Sequence, residues 1–224
     1  MNTYLPRFPA PVALLALALL VSACGRNNPD ELITSAEGYL AQKDAPAAII
    51  QLKNALQANP DSARARFLLG QALLATGDAV GAETEFKKAQ ELGLPPDEVL
   101  PRLAQALLQQ GQYRKLTTEY AGAQLTQAQA QAGLKTALAI AWKRQGQEDK
   151  FKATLEEALK AQADYAPALM ELARTQAVQG DPEGALALLD KVPATSPVAD
   201  EALKLRGDVL LFGKNDPNAA LALY

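Results

Sequence analysis

A small residue returns along this chain every 34 or 35 positions, and no other feature restricts the fold as tightly. Ala36, Gly70, Ala104, Ala139, Ala173 and Gly207 fall at spacings of 34, 34, 35, 34 and 34. A second series runs beside it, with Ala48 and Ala82 34 apart, and Ala55 and Ala89 likewise. A period of this length is one supersecondary unit that cannot bury its apolar face alone, so units must stack. Glycines 77, 111, 146, 180 and 213 recur where a first helix should end, at the position that needs a positive φ. Asp78, Asp181 and Asp216 then read as N-caps of second helices, with Pro182 and Pro217 at the first helical position, where a missing N–H costs nothing. Pro60, Pro95 and Pro197 close the second helices and restart the cycle. Each unit is therefore helix, turn, helix, turn. Small residues let the helices approach closely, while Leu69, Phe86, Leu103, Leu138, Leu172 and Leu189 fill the seams.

This pattern resembles the tetratricopeptide repeat, which implies an all-α right-handed superhelix, an α-solenoid of about six helix-turn-helix units. Residues 63–96 match its consensus best, through Leu69-Gly70, Ala82, Phe86, Ala89 and Pro95. Units are expected near 29–62, 63–96, 97–131, 132–165, 166–199 and 200–224. Two of them depart from the consensus, with Leu116 and Phe151 standing where alanine is usual. The sixth stops at Tyr224 inside an apolar second helix, which leads us to expect a piece of a longer protein, or else an end that docks on a partner.

The amino-terminal segment has a different character. Val12 to Val21 is an unbroken apolar run of ten residues, and ten helical residues cover about 15 Å, half of the roughly 30 Å hydrocarbon core. It reads as the apolar core of a signal peptide spanning residues 1–23. The run ends in Val21-Ser22-Ala23-Cys24, which resembles a bacterial lipobox, whose cysteine receives diacylglycerol and becomes the mature amino terminus. An ordinary secretory cleavage site after Ala23 is the alternative. Cys24 is the one cysteine of the chain, and its chance of falling at this position by accident is on the order of one in two hundred. Residues 24–28 then form a lipidated tether with turn chemistry, reaching at most about 18 Å. Gly25 directly after the cysteine, by resemblance to lipoproteins of diderm bacteria, favours the periplasmic face of the outer membrane, with the inner membrane as alternative.

Composition narrows the chemistry. Histidine is absent and cysteine single, which removes His-based acid/base catalysis, catalytic triads, mixed Cys/His zinc sites and internal disulfides. A formal charge of −3 offers no field for nucleic acid. The acidic pairs Asp30-Glu31 and Glu156-Glu157 read as helix starts or solvated faces, Trp142 as seam packing, and no glycine-rich phosphate loop occurs. We expect no enzyme, no cofactor, no metal and no small-molecule substrate.

Several phrases go beyond a generic repeat: Asp30-Glu31-Leu32 soon after Cys24, Ala47 to Gln57, Asn59-Pro60 and Arg66-Phe67-Leu68-Leu69-Gly70. They look like the amino-terminal region of the repeat lipoproteins that accompany the exosortase and PEP-CTERM sorting system of exopolysaccharide-producing Gram-negative bacteria. That resemblance implies a membrane-anchored periplasmic scaffold binding protein partners in envelope or exopolysaccharide assembly and protein sorting. A lipoprotein of outer-membrane protein or pilus assembly is the alternative; an enzyme would need a catalytic domain beyond Tyr224. The repeat family binds its partners in a groove lined by first helices. Its register here gives Arg64, Phe67, Gln71, Leu74, Gln105, Leu108, Ile140, Lys143, Arg144, Met170 and Arg174, continued by Lys204 and Asp208. Ile33 and Glu37 stand where the carboxylate-clamping subclass carries Lys and Asn, so that activity is not implied. Four cations alternating with apolar residues predict a basic, apolar groove suited to an acidic segment with hydrophobic anchors.

Overall fold

The structure, a computed structural model, describes residues 28–223. The signal peptide, Cys24 and all but the last residue of the tether lie outside the described residues. Those described form helices and turns, with no strand among them. The α-helices are α1 (Pro29–Ala41), α2 (Ala45–Ala58), α3 (Ala63–Ala75), α4 (Ala79–Glu91), α5 (Pro96–Gln109), α6 (Tyr113–Tyr120), α7 (Ala128–Arg144), α8 (Glu148–Ala161), α9 (Ala166–Val178), α10 (Pro182–Leu189), α11 (Ala199–Asp208) and α12 (Pro217–Leu221). A π-helical turn, Val209–Gly213, continues α11. None of these helices is long and apolar enough to cross a membrane.

Local chemistry sets the turns. Asp44, Asp78, Asp181 and Asp216 each accept a hydrogen bond from the backbone N–H three residues on, satisfying a donor that the helix start leaves open. Gly77, Gly111, Gly146 and Gly180 turn the chain at φ 87°, 70°, 71° and 83°. Gly213 departs from this expectation, because the π-turn carries the chain past it and Asn215 takes the left-handed conformation at φ 54°. Its lack of a side chain serves packing instead: a Cβ there would stand 2.9 Å from the Pro182 Cβ.

Consecutive helices pair as antiparallel hairpins, and the hairpins stack. First helices α1, α3, α5, α7 and α9 touch one another along the row, whereas second helices meet chiefly the first helices beside them. First helices therefore line the inner side of the curve. The core is a chain of local clusters. Ala36, Ala48, Leu52, Leu69 and Ala72 fill the first; Phe67, Phe86, Leu103, Leu107, Leu116, Leu134 and Leu138 the second; Ala139, Phe151, Leu155 and Ala168 the third; Met170, Ala173, Ala185, Leu189 and Val209 the last.

The two departures from consensus are absorbed differently. Phe151 is fully buried and finds its room against Ala139, Ala158 and Ala168. Leu116 is equally buried, but its helix α6 runs for only 8 residues and leans on α7 more than on its own partner α5. The 121–127 segment is then tied back by Asp97, which accepts from the Gln127 N–H at 2.6 Å and from the Thr126 hydroxyl at 3.1 Å. The Gln127 N–H in particular holds the Asp97 carboxyl below the usual carboxylate range.

One polar cluster locks α4, α5 and α6 together. Glu83, 8% exposed, receives Lys115 at 2.6 Å, Lys87 at 2.9 Å and the Gln110 amide at 2.9 Å. Burial pushes the Glu83 carboxyl up, but the hydrogen bonds from Lys115, Lys87 and Gln110 outweigh it and bring its pKa down to about 2.

Two outcomes test this packing. A methyl group on Gly70 would stand 2.6 Å from the Phe86 ring, whereas Gly38 has nothing within 4 Å. Urea denaturation should find Gly70→Ala destabilised by about 1–3 kcal/mol and Gly38→Ala unchanged or stabilised by about 0.5–1 kcal/mol. Because the Glu83 pKa is lowered on folding, its stabilisation is fully present above its unfolded value of 4.5 and is lost as pH falls from there toward about 2. Denaturation midpoints followed from pH 6 to 3 should converge for the parent and Glu83→Gln.

Candidate functional site: a pocket on the first-helix face

Leu74 at the end of α3, Gln105, Leu108 and Gln109 on α5, Tyr113 at the start of α6, and Ile140 and Arg144 on α7 line a depression of about 420 Å³. Helical periodicity places them. Gln105, Leu108 and Gln109 are spaced three and four apart, as are Ile140 and Arg144, so each helix presents one face to the pocket. Leu74, Leu108 and Ile140 are half-buried and make an apolar floor, while Gln105, Gln109 and Arg144 are exposed at the rim. Gln71, one turn before Leu74, extends the α3 side.

Two glutamines that the repeat register did not mark fix the walls. Gln110 donates its amide to the Ala79 carbonyl at 3.0 Å, and Gln145 donates to the Tyr113 carbonyl at 3.2 Å and the Thr117 hydroxyl at 3.1 Å. In both, the residue ending a first helix ties the opening turn of the second helix before it. The Gln-Gly pairs at 110–111 and 145–146 are the signal that would have exposed this device.

Five residues expected from the register thus meet at the pocket: Leu74, Gln105, Leu108, Ile140 and Arg144. Phe67 and Met170 do not join them and are corrected to core positions, 6% and 3% exposed. Phe67 packs its ring at 5.7 Å from that of Phe86, and Met170 lies in the α9–α11 cluster. At these two places the neighbouring helix lies close enough to take a large apolar side chain into the stack, whereas Ile33, the counterpart in α1, stays half-buried.

The expected basic field is also corrected. Arg64 is held at 2.8 Å by Glu37 and at 3.5 Å by Glu98. Lys143 turns toward α9, at 3.2 Å from the Thr175 hydroxyl and 4.0 Å from Glu171, with its ammonium 4.7 Å from the Phe151 ring centre. Arg174 stands 3.7 Å from Glu171 and 3.3 Å from Glu201. Along this face each of the three cations is matched by carboxylates from its own or neighbouring first helices. Lys204 and Asp208 lie on α11, outside the pocket. Trp142 is half-buried against Phe151 and Leu155, with the Lys150 ammonium 4.4 Å above its ring.

A second depression, about 530 Å³, opens where α5, α7 and α9 begin, against residues 193–198. Its Asp97 is engaged in tying down the 126–127 turn. No group of His, Cys, Asp or Glu among the described residues is arranged to hold a metal.

Family profiles described as tetratricopeptide repeat match residues 34–97 and 144–209, together more than half of the chain. The protein belongs to the tetratricopeptide-repeat superfamily. Its fold is similar to that of PilW, described as a widely conserved type IV pilus biogenesis factor, with 20% identity over 87% of this chain and 90% of the other and a TM-score of 0.62. It is similar to pilF of Pseudomonas aeruginosa, with 18% identity, 89% and 90% coverage and a TM-score of 0.61. YrrB, described as a repeat protein with an unusual peptide-binding site, shares 17% identity over 89% of this chain and 98% of its own, at a TM-score of 0.53. At these identities the likeness is one of fold. No curated protein sequence matches the chain.

Core and rim residues of this face should separate cleanly on substitution. Phe67→Ala is expected to cost about 3–5 kcal/mol in urea denaturation, since it empties space against Phe86. Arg144→Ala, at an exposed position, should stay within about 0.5 kcal/mol of the parent.

Proposed function

We propose that the protein is a lipid-anchored periplasmic scaffold that holds a segment of a partner protein in the pocket between α3, α5 and α7. The observation that carries this reading is the meeting of Leu74, Leu108 and Ile140 under a polar rim on the first-helix face. An apolar floor supplies affinity and a few rim groups fix orientation, which is the composition of a peptide site rather than of a reaction centre. Anchoring rests on Cys24 at the end of the leader, where acyl chains in addition to a membrane-proximal tether suffice for stable attachment.

The pathway served is envelope or exopolysaccharide assembly with PEP-CTERM protein sorting, supported by the phrases between Ala47 and Gly70 noted in the sequence. The outer membrane is the proposed location, with the inner membrane as the alternative. Pilus assembly is the second reading, favoured by the fold similarity to PilW and pilF.

One experiment joins site and anchor. A photo-crosslinking amino acid placed at Gln105 in cells should trap a protein partner in the membrane fraction, while the same group at exposed Val80, on second helix α4, should not. Combining it with Cys24→Ala should release the protein from the membrane pellet. Equal trapping at both positions would remove the pocket from the reading, and retention of the Cys24→Ala protein in the pellet would remove the lipid anchor.

A further inference from the structure

Arg144 differs from the three cations engaged along this face, and from Arg102, which donates to the Gln105 amide oxygen at 3.1 Å and lines the second depression. Arg64, Lys143 and Arg174 are each engaged by carboxylates of the chain itself, and Lys135, buried in the middle of α7, pairs with Glu157 at 2.7 Å. Arg144 is exposed, lines the pocket, and has no carboxylate within ion-pair distance among the described residues. Its place in the last turn of α7 gives it favourable helix-dipole contact, yet leaves the donors of its guanidinium open at the rim. Leu108 and Ile140 line the same pocket.

The surroundings limit how much negative charge a ligand can bring. Elsewhere along the first-helix face Glu37 and Glu98 stand against Arg64, and Glu171 and Glu201 against Arg174, each already matched. A run of acidic residues crossing the groove would meet these carboxylates, and like-charge juxtaposition in an interface costs affinity. A single carboxylate at Arg144 meets the one cation among the pocket's lining residues and none of the four. The amides of Gln71, Gln105 and Gln109 each carry both donors and an acceptor, the two functions that a passing extended backbone must satisfy.

Resting on the reading that this face binds a protein segment, we propose that the pocket selects an extended segment with one large apolar side chain and one Asp or Glu two residues away. The spacing follows from strand geometry, in which residues two apart lie on the same face about 6.5 Å from each other. The apolar side chain enters between Leu74, Leu108 and Ile140, and the carboxylate takes a bidentate hydrogen bond from Arg144.

The test is selection from a random peptide library displayed on phage, panned against the full lipidated protein in detergent micelles. Enriched peptides should carry an aliphatic or aromatic residue with Asp or Glu at a separation of two, and changing that acid to its amide should weaken binding tenfold or more. Arg144→Gln should keep the apolar preference, lose the acidic one, and bind parent and amide peptides within twofold of each other. Gln105→Trp, which fills the pocket from an exposed position, should abolish enrichment with its circular dichroism unchanged.

Acidic runs, or apolar anchors without an acid, would overturn the proposal and leave the groove reading standing. Peptides that bind the Gln105→Trp protein undiminished would overturn both. Absence of enrichment, or a concentration-dependent dimer that Gln105→Trp disperses, would overturn the proposal in favour of a folded partner or a second copy.

Discussion

Everything in this structure depends on how closely two helices can approach where one of them carries only a hydrogen or a methyl group as its side chain. At Gly70 the Phe86 ring occupies the space that a methyl group would need. The 34-residue return of Ala or Gly repeats that permission at every hairpin. Helix spacing, the curve of the row and the exposure of first helices on one side all follow from it. Van der Waals contact at such distances tolerates neither a gap nor an extra carbon. The repeat is therefore written in small residues, and where a large one takes an alanine's place, as Leu116 and Phe151 do, the neighbouring helices adjust around it.

The second organising element is charge, arranged in sequence-distant pairs that repeat with the fold. Arg64 to Glu37 and Arg174 to Glu201 each span 27 residues, from a first helix to its neighbour in the row. Exposed pairs of this kind contribute little stability singly. Their larger effect is to neutralise Arg64 and Arg174, while Arg144, the one cation lining the pocket, stays without a carboxylate beside the apolar floor.

The architecture was legible because caps and turns obey local rules: Asp78, Asp181 and Asp216 cap as their positions require, and four of the five turn glycines take positive φ. The site was legible only in part. A repeat register tells which way a residue points but not how near the next helix lies, so it placed Phe67 and Met170 in the groove when both belong to the core. Nor does it reveal that Arg64, Lys143 and Arg174 find partners, since those carboxylates stand one turn or one repeat away. Gly213 misled for a related reason: a π-turn shifted the register by a residue, and the glycine was needed for contact with Pro182 rather than for φ.

The short helix α6 has a mechanical meaning. Among the first five hairpins, the two helices share least surface between α5 and α6. Tyr113, the first residue of α6, borders the pocket, so a change of angle at this joint would move one wall of the pocket. A ligand that bound there more tightly at one curvature than at another would shift that curvature, and bending the stack would change its affinity by the same coupling energy. Such a joint would make the stiffness of the stack depend on what the pocket holds.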